Sequence, residues 1–532
     1  MSPPASAAPK AVPAKGRGRR WVADLIAGVS VALVLIPQSM AYAELAGMPA
    51  HHGLYASALP PLLAAFFASS PYLQTGPVAL TSLLTVGALG GLATLGSPEY
   101  VALAALLAVV VGVVRVALGV LRAGTISYLM SQPVLRGFTA AAALLILFSQ
   151  LPSALGVEAE GASILVRAFR ALSAPGTWEA EALGLSAMTL AFMIGGRRLH
   201  PLFPGVLLAV VAGVAFSVGT GYEGRVLGEV PKALVPPLRV DLPWTRVPEL
   251  LVGGVIIALV GFADAVSISQ AFAERARKPW DPNKEFVSQG VANLAAGLTG
   301  GLPVGGSFSR SAVNALAGAQ TRASGAITGL AMLAFLPVSH VLAPLPKAIL
   351  GAIVVGAVLK LLDPQPMLSL WRQSKLQACV AYATFALTLG LAPRIDLAVL
   401  GGVALAIAVH VWRELSVDVR VRRDGETLRL IPEGVIWYAS ANQFRQALAA
   451  AVAEHQDAEE VVLDLRSVGR IDLTGALALK ELADGLREDF RWRVEGQPEH
   501  AVRILERVCP TLLEAPADGP MRASAGPAKP RA

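Results

Sequence analysis

The sequence predicts an α-helical membrane protein with fourteen spans in two inverted sets of seven, followed by a small α/β domain. Three observations lead to that fold class. Of 532 residues, 54% are hydrophobic and 15% are charged, with a mean hydropathy of +0.59, whereas soluble domains carry about 25% charged residues. Apolar segments of spanning or near-spanning length follow one another from Trp21 to Trp412, and dense charge begins only at Arg413. Two short motifs also recur at one offset of 230 residues.

The chain begins with an Ala/Pro-rich stretch, residues 1–20, that ends in KGRGRR and has no apolar centre. It reads as a disordered basic arm rather than a signal peptide. Its five basic residues place the N-terminus in the cytoplasm by charge bias. A transmembrane domain is expected over 21–415, with segments near 22–40, 52–68, 76–92, 101–121, 134–151, 182–196, 204–220, 249–272, 286–301, 307–318, 322–343, 347–362, 376–392 and 396–412. An even number of spans returns the C-terminus to the cytoplasm, where Arg413, Arg420, Arg422 and Arg423 follow the last one. The expected location is an inner cell membrane of bacterial type, with the lipid bilayer as the first partner. Basic loops explain the net charge of +7, and no basic, aromatic-rich soluble patch supports nucleic-acid binding. Cys379 and Cys509 lie in different regions, which argues against a disulfide framework or a cysteine metal site.

The repeat organises the membrane part. AYAE at Ala41–Glu44 matches AFAE at Ala271–Glu274, and the same offset carries Gly76 of TGPVALTS onto Gly306 of VGGSFSRS. Seven spans precede the second copy, an odd number, so the copies are expected to be inverted. Both sit beside short, broken segments: Gly76, Pro77 and Val78 in the first, and Gly306, Ser307, Phe308, Ser309 and Arg310 in the second. Corresponding broken helices in two inverted halves point to a transporter site at the midplane. Irregular backbone at that depth must be buried in protein or line a cavity. The expectation is that Gly305 and Gly306 interrupt the chain and that a short helix starts near Ser307, with a matching one near Val78. The first N–H groups, the hydroxyls of Ser307 and Ser309 and the Arg310 guanidinium would then converge on an anion. The plain alternative is a Gly/Pro loop with one solvated arginine.

Polar residues inside the spans supply further candidates. Asp264 lies mid-span in IALVGFADAVSISQAFA, where an acid costs about 2.5–3.5 kcal/mol on insertion scales. It is the candidate for cation coupling, by H⁺ or a Na⁺ bound near it, with Ser267 three residues on sharing its face. The plainer reading is a buried ion pair with Arg310. Gln38 and Tyr42, beside Pro37, interrupt the first span and are four residues apart on one face. Their plainer role is helix–helix hydrogen bonding. Glu44, Arg115 and Arg122 fall near span ends and are expected to reach for the interface. His51 and His52 fall in a loop without metal-ligand spacing.

The pattern changes near Asp424. TLRLIPEGVIWYAS reads as strands, NQFRQALAAAVAEHQ as an amphipathic helix, and EVVLDLRSV as a strand and turn. RIDLTGALALKELADGLRE then reads as a turn and helix, FRWRVEG as a strand, and AVRILERVC as a helix. Alternating strands and helices give a small α/β sandwich, expected over 420–515. Asp472 or Thr474 caps its second helix, or Thr474 is a phosphorylated regulatory residue. Residues 516–532 read as a disordered tail. No GxxxxGK[ST], HExxH, GxSxG or paired CxxC motif is present, so an enzyme role has no support. No cofactor beyond a coupling ion is expected.

On the stretches VSVALVLIPQSMAYAELAGMPAHHGLYAS, SSPYLQTGPVALTS, GFADAVSISQAFA, LPVGGSFSRSAVN and IDLTGALAL, the chain resembles the sulfate permease (SulP) family of anion transporters, which includes prestin. The last stretch resembles a STAS domain, the fold of anti-sigma-factor antagonists. The resemblance covers nearly all of residues 20–515. It implies a core and a gate domain, an anion site between the third and tenth spans, elevator-like alternating access and a homodimer. It places Gln38 and Tyr42 along the site from the first span, and Ser307, Ser309 and Arg310 facing it from the tenth. It ties Asp264 to cation coupling. The antagonists carry a serine where this chain has Thr474, so phosphoregulation does not transfer directly. Family members carry sulfate, bicarbonate, chloride or dicarboxylates, so symport or exchange of such an anion is the expected function. The alternatives are a nucleobase permease of the same fold, an anion channel, or a membrane sensor whose STAS domain binds a cytoplasmic protein.

Overall fold

The computed structural model describes residues 17–124, 131–159, 161, 163–228, 230, 241–415, 417–486 and 491–510. The expected N-terminal arm lies outside them up to residue 16, and the expected tail at 516–532 lies outside them entirely. Residues 17–20, expected in the arm, instead form the first turn of α1. Arginine is a good helix former, and the apolar run that follows extends the helix back through it.

The chain divides into two compact units, with the division after Ala406. In the first unit, helices follow in the order α1 (Arg17–Leu45), α2 (His51–Phe67), then strand β1 (Thr75–Gly76), α3 (Ala79–Leu89), α4 (Pro98–Val120), α5 (Gln132–Leu155), α6 (Ile164–Ser173), α7 (Ala180–Leu190), α8 (Gly196–Leu199) and α9 (Gly205–Thr220). The order continues with α10 (Val247–Ala276), α11 (Pro282–Leu298), strand β2 (Gly305–Gly306), α12 (Phe308–Leu316), α13 (Ala323–Phe335), α14 (Lys347–Val358), α15 (Gln365–Gln373), α16 (Lys375–Gly390) and α17 (Ile395–Leu415). A helix occupies each of the fourteen predicted apolar segments. Six, including α1, α4 and α10, are long and apolar enough to cross a bilayer by length and composition. The protein is an integral, multi-pass membrane protein.

Helices start where local chemistry supplies a cap. Ser97 accepts the Tyr100 N–H ahead of α4, with Pro98 at the first helical position. Asp281 accepts the N–H groups of Asn283 and Lys284 ahead of α11. The sequence reading missed α6 and α15 because both are short and amphipathic. Ile164, Ala168 and Ala171 of α6 are buried at i, i+4 and i+7, and Arg167 and Arg170 interrupt the apolar run between them.

Within this unit the helices sort by position in each half. α1, α2, α4, α10, α11 and α13 pack into one bundle, the core: α11 lies on α4 and α2, α13 on α2 and α1, and α10 on α4. α5, α7, α14 and α16 form the gate bundle, where α14 and α16 both lie on α5. Small residues let backbones approach, as expected where lipid gives no hydrophobic drive between helices. A Cβ on Gly112 of α4 would lie 2.7 Å from the Leu294 nitrogen of α11. A Cβ on Gly137 of α5 would collide with the backbone carbonyl of Ala381 in α16. Gly137→Val is therefore expected to destabilise the gate bundle by about 1–3 kcal/mol or more, read as a lower melting temperature of the purified protein. Gly91→Ala, with nothing within 4 Å of the added atom, should leave it unchanged.

The second unit is a mixed α/β domain. Its elements are β3 (Asp418–Asp424), β4 (Thr427–Ile436), α18 (Ala441–Glu454), β5 (Glu460–Asp464), β6 (Val468–Ile471), α19 (Leu473–Leu486), β7 (Arg491–Glu495) and α20 (Glu499–Val508). β4 pairs antiparallel with β3 and parallel with β5 and β6, and β5 pairs parallel with β7. Leu428, Leu430, Phe444, Leu448, Val461, Leu463 and Leu505 form the core. β3 was not anticipated, since its residues read as a basic run after the last span. It is an edge strand with mostly exposed arginines, and its alternation of Val419 and Val421 with Asp418, Arg420 and Arg422 is masked by the run of charge.

Asp464, at the end of β5, is 3% exposed and accepts hydrogen bonds from the Arg466 amide (3.1 Å) and guanidinium (Nε, 2.9 Å). These bonds hold its carboxyl below the usual carboxylate range. A depressed carboxylate contributes stability that is present above its unfolded value and lost as pH falls through the folded one. Asp464→Asn is expected to weaken β5 at neutral pH by about 1–3 kcal/mol. Hydrogen exchange of the β5 amides in the full chain, faster by about tenfold, is the readout.

Candidate functional site

β1 and β2 meet at the middle of the core bundle. Thr75 pairs with Gly306 and Gly76 with Gly305, antiparallel, and the Ser307 amide donates to the Gln74 carbonyl at 3.0 Å. Each strand leads straight into a short helix. Val78 is the N-cap of α3 and Ser307 the N-cap of α12. Two helix N-terminal ends, each equivalent to about half a positive charge, therefore start from one antiparallel crossing. The antiparallel pair is the local form of the inverted repeat read from the offset.

Glycine is required at the crossing by close approach. A Cβ on Gly306 would lie 2.7 Å from Leu73 Cδ1 and 3.2 Å from Ala265 Cβ, and one on Gly76 would lie 3.3 Å from Arg310 Nη2. That last distance locates the Arg310 guanidinium against β1. Leu35 Cδ1 of α1 is also 3.3 Å from the same point. Gln38 and Tyr42 follow Leu35 at i+3 and i+7, so they lie on its stripe, and both are buried. Pro77 is buried beside Gly76.

Arg310 is 0% exposed, and none of Nε, Nη1 and Nη2 has a hydrogen-bond partner among the described residues. Gln38 Oε1 is likewise unpartnered. Buried polar groups are normally paired, and an isolated buried charge is among the most costly groups to bury. The expected alternative of an Asp264–Arg310 ion pair is not found. Ser307 Oγ accepts the Arg310 amide at 3.4 Å and lies 3.3 Å from Ser309 Oγ. Phe308 and Ser309 are exposed at the helix start.

Asp264 and Ser267 lie on an exposed stripe of α10 with Gln270 and Glu274. A stripe of that polarity borders water rather than lipid. The neighbouring face of the same helix carries Ala265 against Gly306, and Phe272 faces Phe308 of α12 with centroids 6.3 Å apart. The acidic stripe thus adjoins the start of α12. Ser267 Oγ donates to the Ala263 carbonyl at 3.0 Å.

The residues that hold the crossing were missed by sequence reading. Thr81 Oγ1 donates to the Pro303 carbonyl, and Asn293 both accepts from the Val304 amide and donates to its carbonyl, all at 3.0 Å. Gln289 Nε2 donates to Thr75 Oγ1 at 2.7 Å, and the Gln74 amide donates to Ser311 Oγ at 2.9 Å. Gln289 and Asn293 are four apart on α11, a polar stripe visible in SQGVANLAAG. Arg115 corrects an explicit expectation. It does not reach the interface but is 0% exposed, and its guanidinium donates to three backbone carbonyls, those of Ile257, Ala258 and Val304. Tight glycine contacts between α4 and α11, and the cover of α10, leave this side chain no path to the surface. Glu44 pairs with Lys347 at 3.1 Å rather than standing alone at a span end. In the second unit, Asp472 caps α19, accepting the Gly475 amide at 2.8 Å and the Tyr438 amide at 3.0 Å, while Thr474 is exposed.

Residues 22–384 match the sulfate permease family, and residues 418–508 match the STAS domain. A protein of Mycobacterium tuberculosis named as a probable sulfate transporter is 33% identical over 506 residues, covering 89% of each chain. The fold is similar to that of the murine solute carrier 26 member A9 anion transporter in its inward-facing state. There the TM-score is 0.82 at 22% identity, over 92% of this chain and 89% of that one. The transmembrane domain of the cyanobacterial bicarbonate transporter BicA matches with a TM-score of 0.62 at 24% identity, over 74% of this chain and 99% of that one.

Proposed function

This chain belongs to the sulfate permease family, and from that premise we propose that it is a secondary active transporter of a small anion: sulfate, bicarbonate, chloride or a dicarboxylate. The observation that carries the reading is Arg310, fully buried and with no hydrogen-bond partner for its guanidinium among the described residues, set against Gly76 where two half-helices begin. A substrate anion accepts from the guanidinium and from the first amides of α12, and the hydroxyls of Ser307 and Ser309 complete its shell. Gln38 and Tyr42 close the site from α1. Gly76, Pro77, Val78, Gly306 and Phe308 shape the crossing that lets the two helix ends approach.

Asp264 supplies the coupling. Its negative charge repels an anion at the start of α12 until a cation, H⁺ or Na⁺, neutralises it, with Ser267 as a further oxygen for the ion. The substrate and its cation then move together as the core bundle slides past the gate bundle, with two copies of the chain associated as a dimer. Both termini lie in the cytoplasm of a cell with an inner membrane of bacterial type. The transporter domain runs over 21–415 and the STAS domain over 420–515, where Asp472 and Thr474 offer a docking or modification point for a cytoplasmic protein. Uptake of labelled sulfate, bicarbonate and fumarate into proteoliposomes, each with and without H⁺ and Na⁺ gradients, tests the reading. Gradient-driven accumulation of at least one anion is expected, and none for any would overturn it.

A further inference from the structure

Two arginines, not one, are buried at the crossing. Arg115 approaches from α4 and reaches the residue that precedes β2. Its Nη1 donates to the Val304 carbonyl (3.0 Å), one residue before Gly305, and its Nε and Nη2 donate to the carbonyls of Ala258 and Ile257 in α10 (3.1 Å each). Nη2 lies 2.7 Å from where a Cβ on Gly261 would stand, and the methyl of Thr81, in the first turn of α3, lies 3.0 Å from the same point. The guanidinium therefore bridges α10 and the residue before β2, near the first turn of α3. Among the described residues none of the ion pairs of the first unit includes Arg115. Three carbonyls give each guanidinium nitrogen one acceptor but do not cancel its charge.

Resting on the anion site proposed above, we propose that Arg115 is a positioning and specificity-determining residue: it pins β2 and supplies a second fixed positive charge that favours anions of higher valence. A fixed charge acts on an anion in proportion to the anion's own charge. A dianion therefore gains twice the logarithm of affinity that a monoanion gains. A purely structural pin has no such dependence on valence, because a distorted site weakens both anions without regard to their charge.

The test is equilibrium binding of labelled sulfate to the purified full-length chain, with unlabelled sulfate and chloride as competitors. Arg115→Gln keeps an N–H donor at the position of Nε, for the Ala258 carbonyl, and removes the charge. Arg115→Lys keeps the charge and loses the planar fork. Arg115→Gln is expected to weaken sulfate by at least about tenfold and chloride by the square root of that factor, about threefold, so that the preference for sulfate falls about threefold. Arg115→Lys is expected to hold the wild-type preference within twofold even where its melting temperature falls. An unchanged preference in Arg115→Gln, or a fall in Arg115→Lys as large as that in Arg115→Gln, overturns the role in valence selection. Where wild type binds fumarate and bicarbonate instead, the same comparison is made on that dianion and monoanion; wild-type protein that binds none of the four removes the anion-site reading itself, and this role with it.

Discussion

Arg310→Ala is expected to abolish anion uptake while leaving the fold intact. Each hydrogen bond from a charged group contributes about 1.5–3 kcal/mol, so losing two from the guanidinium costs about 3–6 kcal/mol. That is at least about a hundredfold in affinity. The unusual part of the prediction concerns stability. Most buried arginines leave orphaned partners when truncated, but Arg310 donates to none among the described residues. Removing an unpaired buried charge relieves a desolvation penalty, so the melting temperature of the variant in detergent should equal or exceed that of wild type. Uptake that survives in Arg310→Ala sinks the site assignment. Uptake that is lost together with the fold would instead make Arg310 a structural residue.

Asp264→Asn is expected to separate transport from its driving ion. Asparagine is nearly isosteric, so the exposed stripe of α10 keeps its shape, but the residue can no longer alternate between a charged and a neutralised state. If a cation bound at Asp264 neutralises the site, the variant mimics the neutralised form permanently. Uptake against a concentration gradient driven by imposed H⁺ or Na⁺ should then fall to the level seen without a gradient, while exchange of internal for external anion persists. A variant that responds to the gradient as wild type does would remove Asp264 from coupling. Loss of exchange as well as gradient-driven uptake would assign it to the binding site instead.

Both were candidates from the sequence on different grounds: Asp264 as a charge within a long apolar segment, Arg310 as a charge at a glycine break between apolar segments. The two breaks at TGPVALTS and VGGSFSRS were legible because glycine and proline punctuate helices, and their common offset placed them in inverted halves before any coordinates. β4, β5, β7 and the helices of the second unit followed their periodicity, whereas β6 (Val468–Ile471) reads as a turn in the sequence. What escaped was the chemistry that depends on tertiary neighbours. Arg115 sits five residues before the end of α4, where sequence alone favours an interfacial arginine. Only the packing of α10 and α11 over it turns that position into the interior. Asn293, Thr81 and Ser311 bind the backbone of the crossing and Gln289 the Thr75 hydroxyl, and a helix–helix hydrogen bond leaves the same trace in a sequence as such a pin. β3 escaped although Val419 and Val421 alternate with charged residues, because its arginines read as the basic flank of the last span.

On the proposed reading, an anion binds at the β1–β2 crossing through Arg310. Equilibrium binding of labelled sulfate, bicarbonate and fumarate to purified wild-type and Arg310→Ala protein tests it most directly, since neither gradients nor turnover enter. Saturable binding of at least one anion by wild type, and none of that anion by a folded Arg310→Ala variant, is the predicted result. Equal affinity in the two proteins would contradict it.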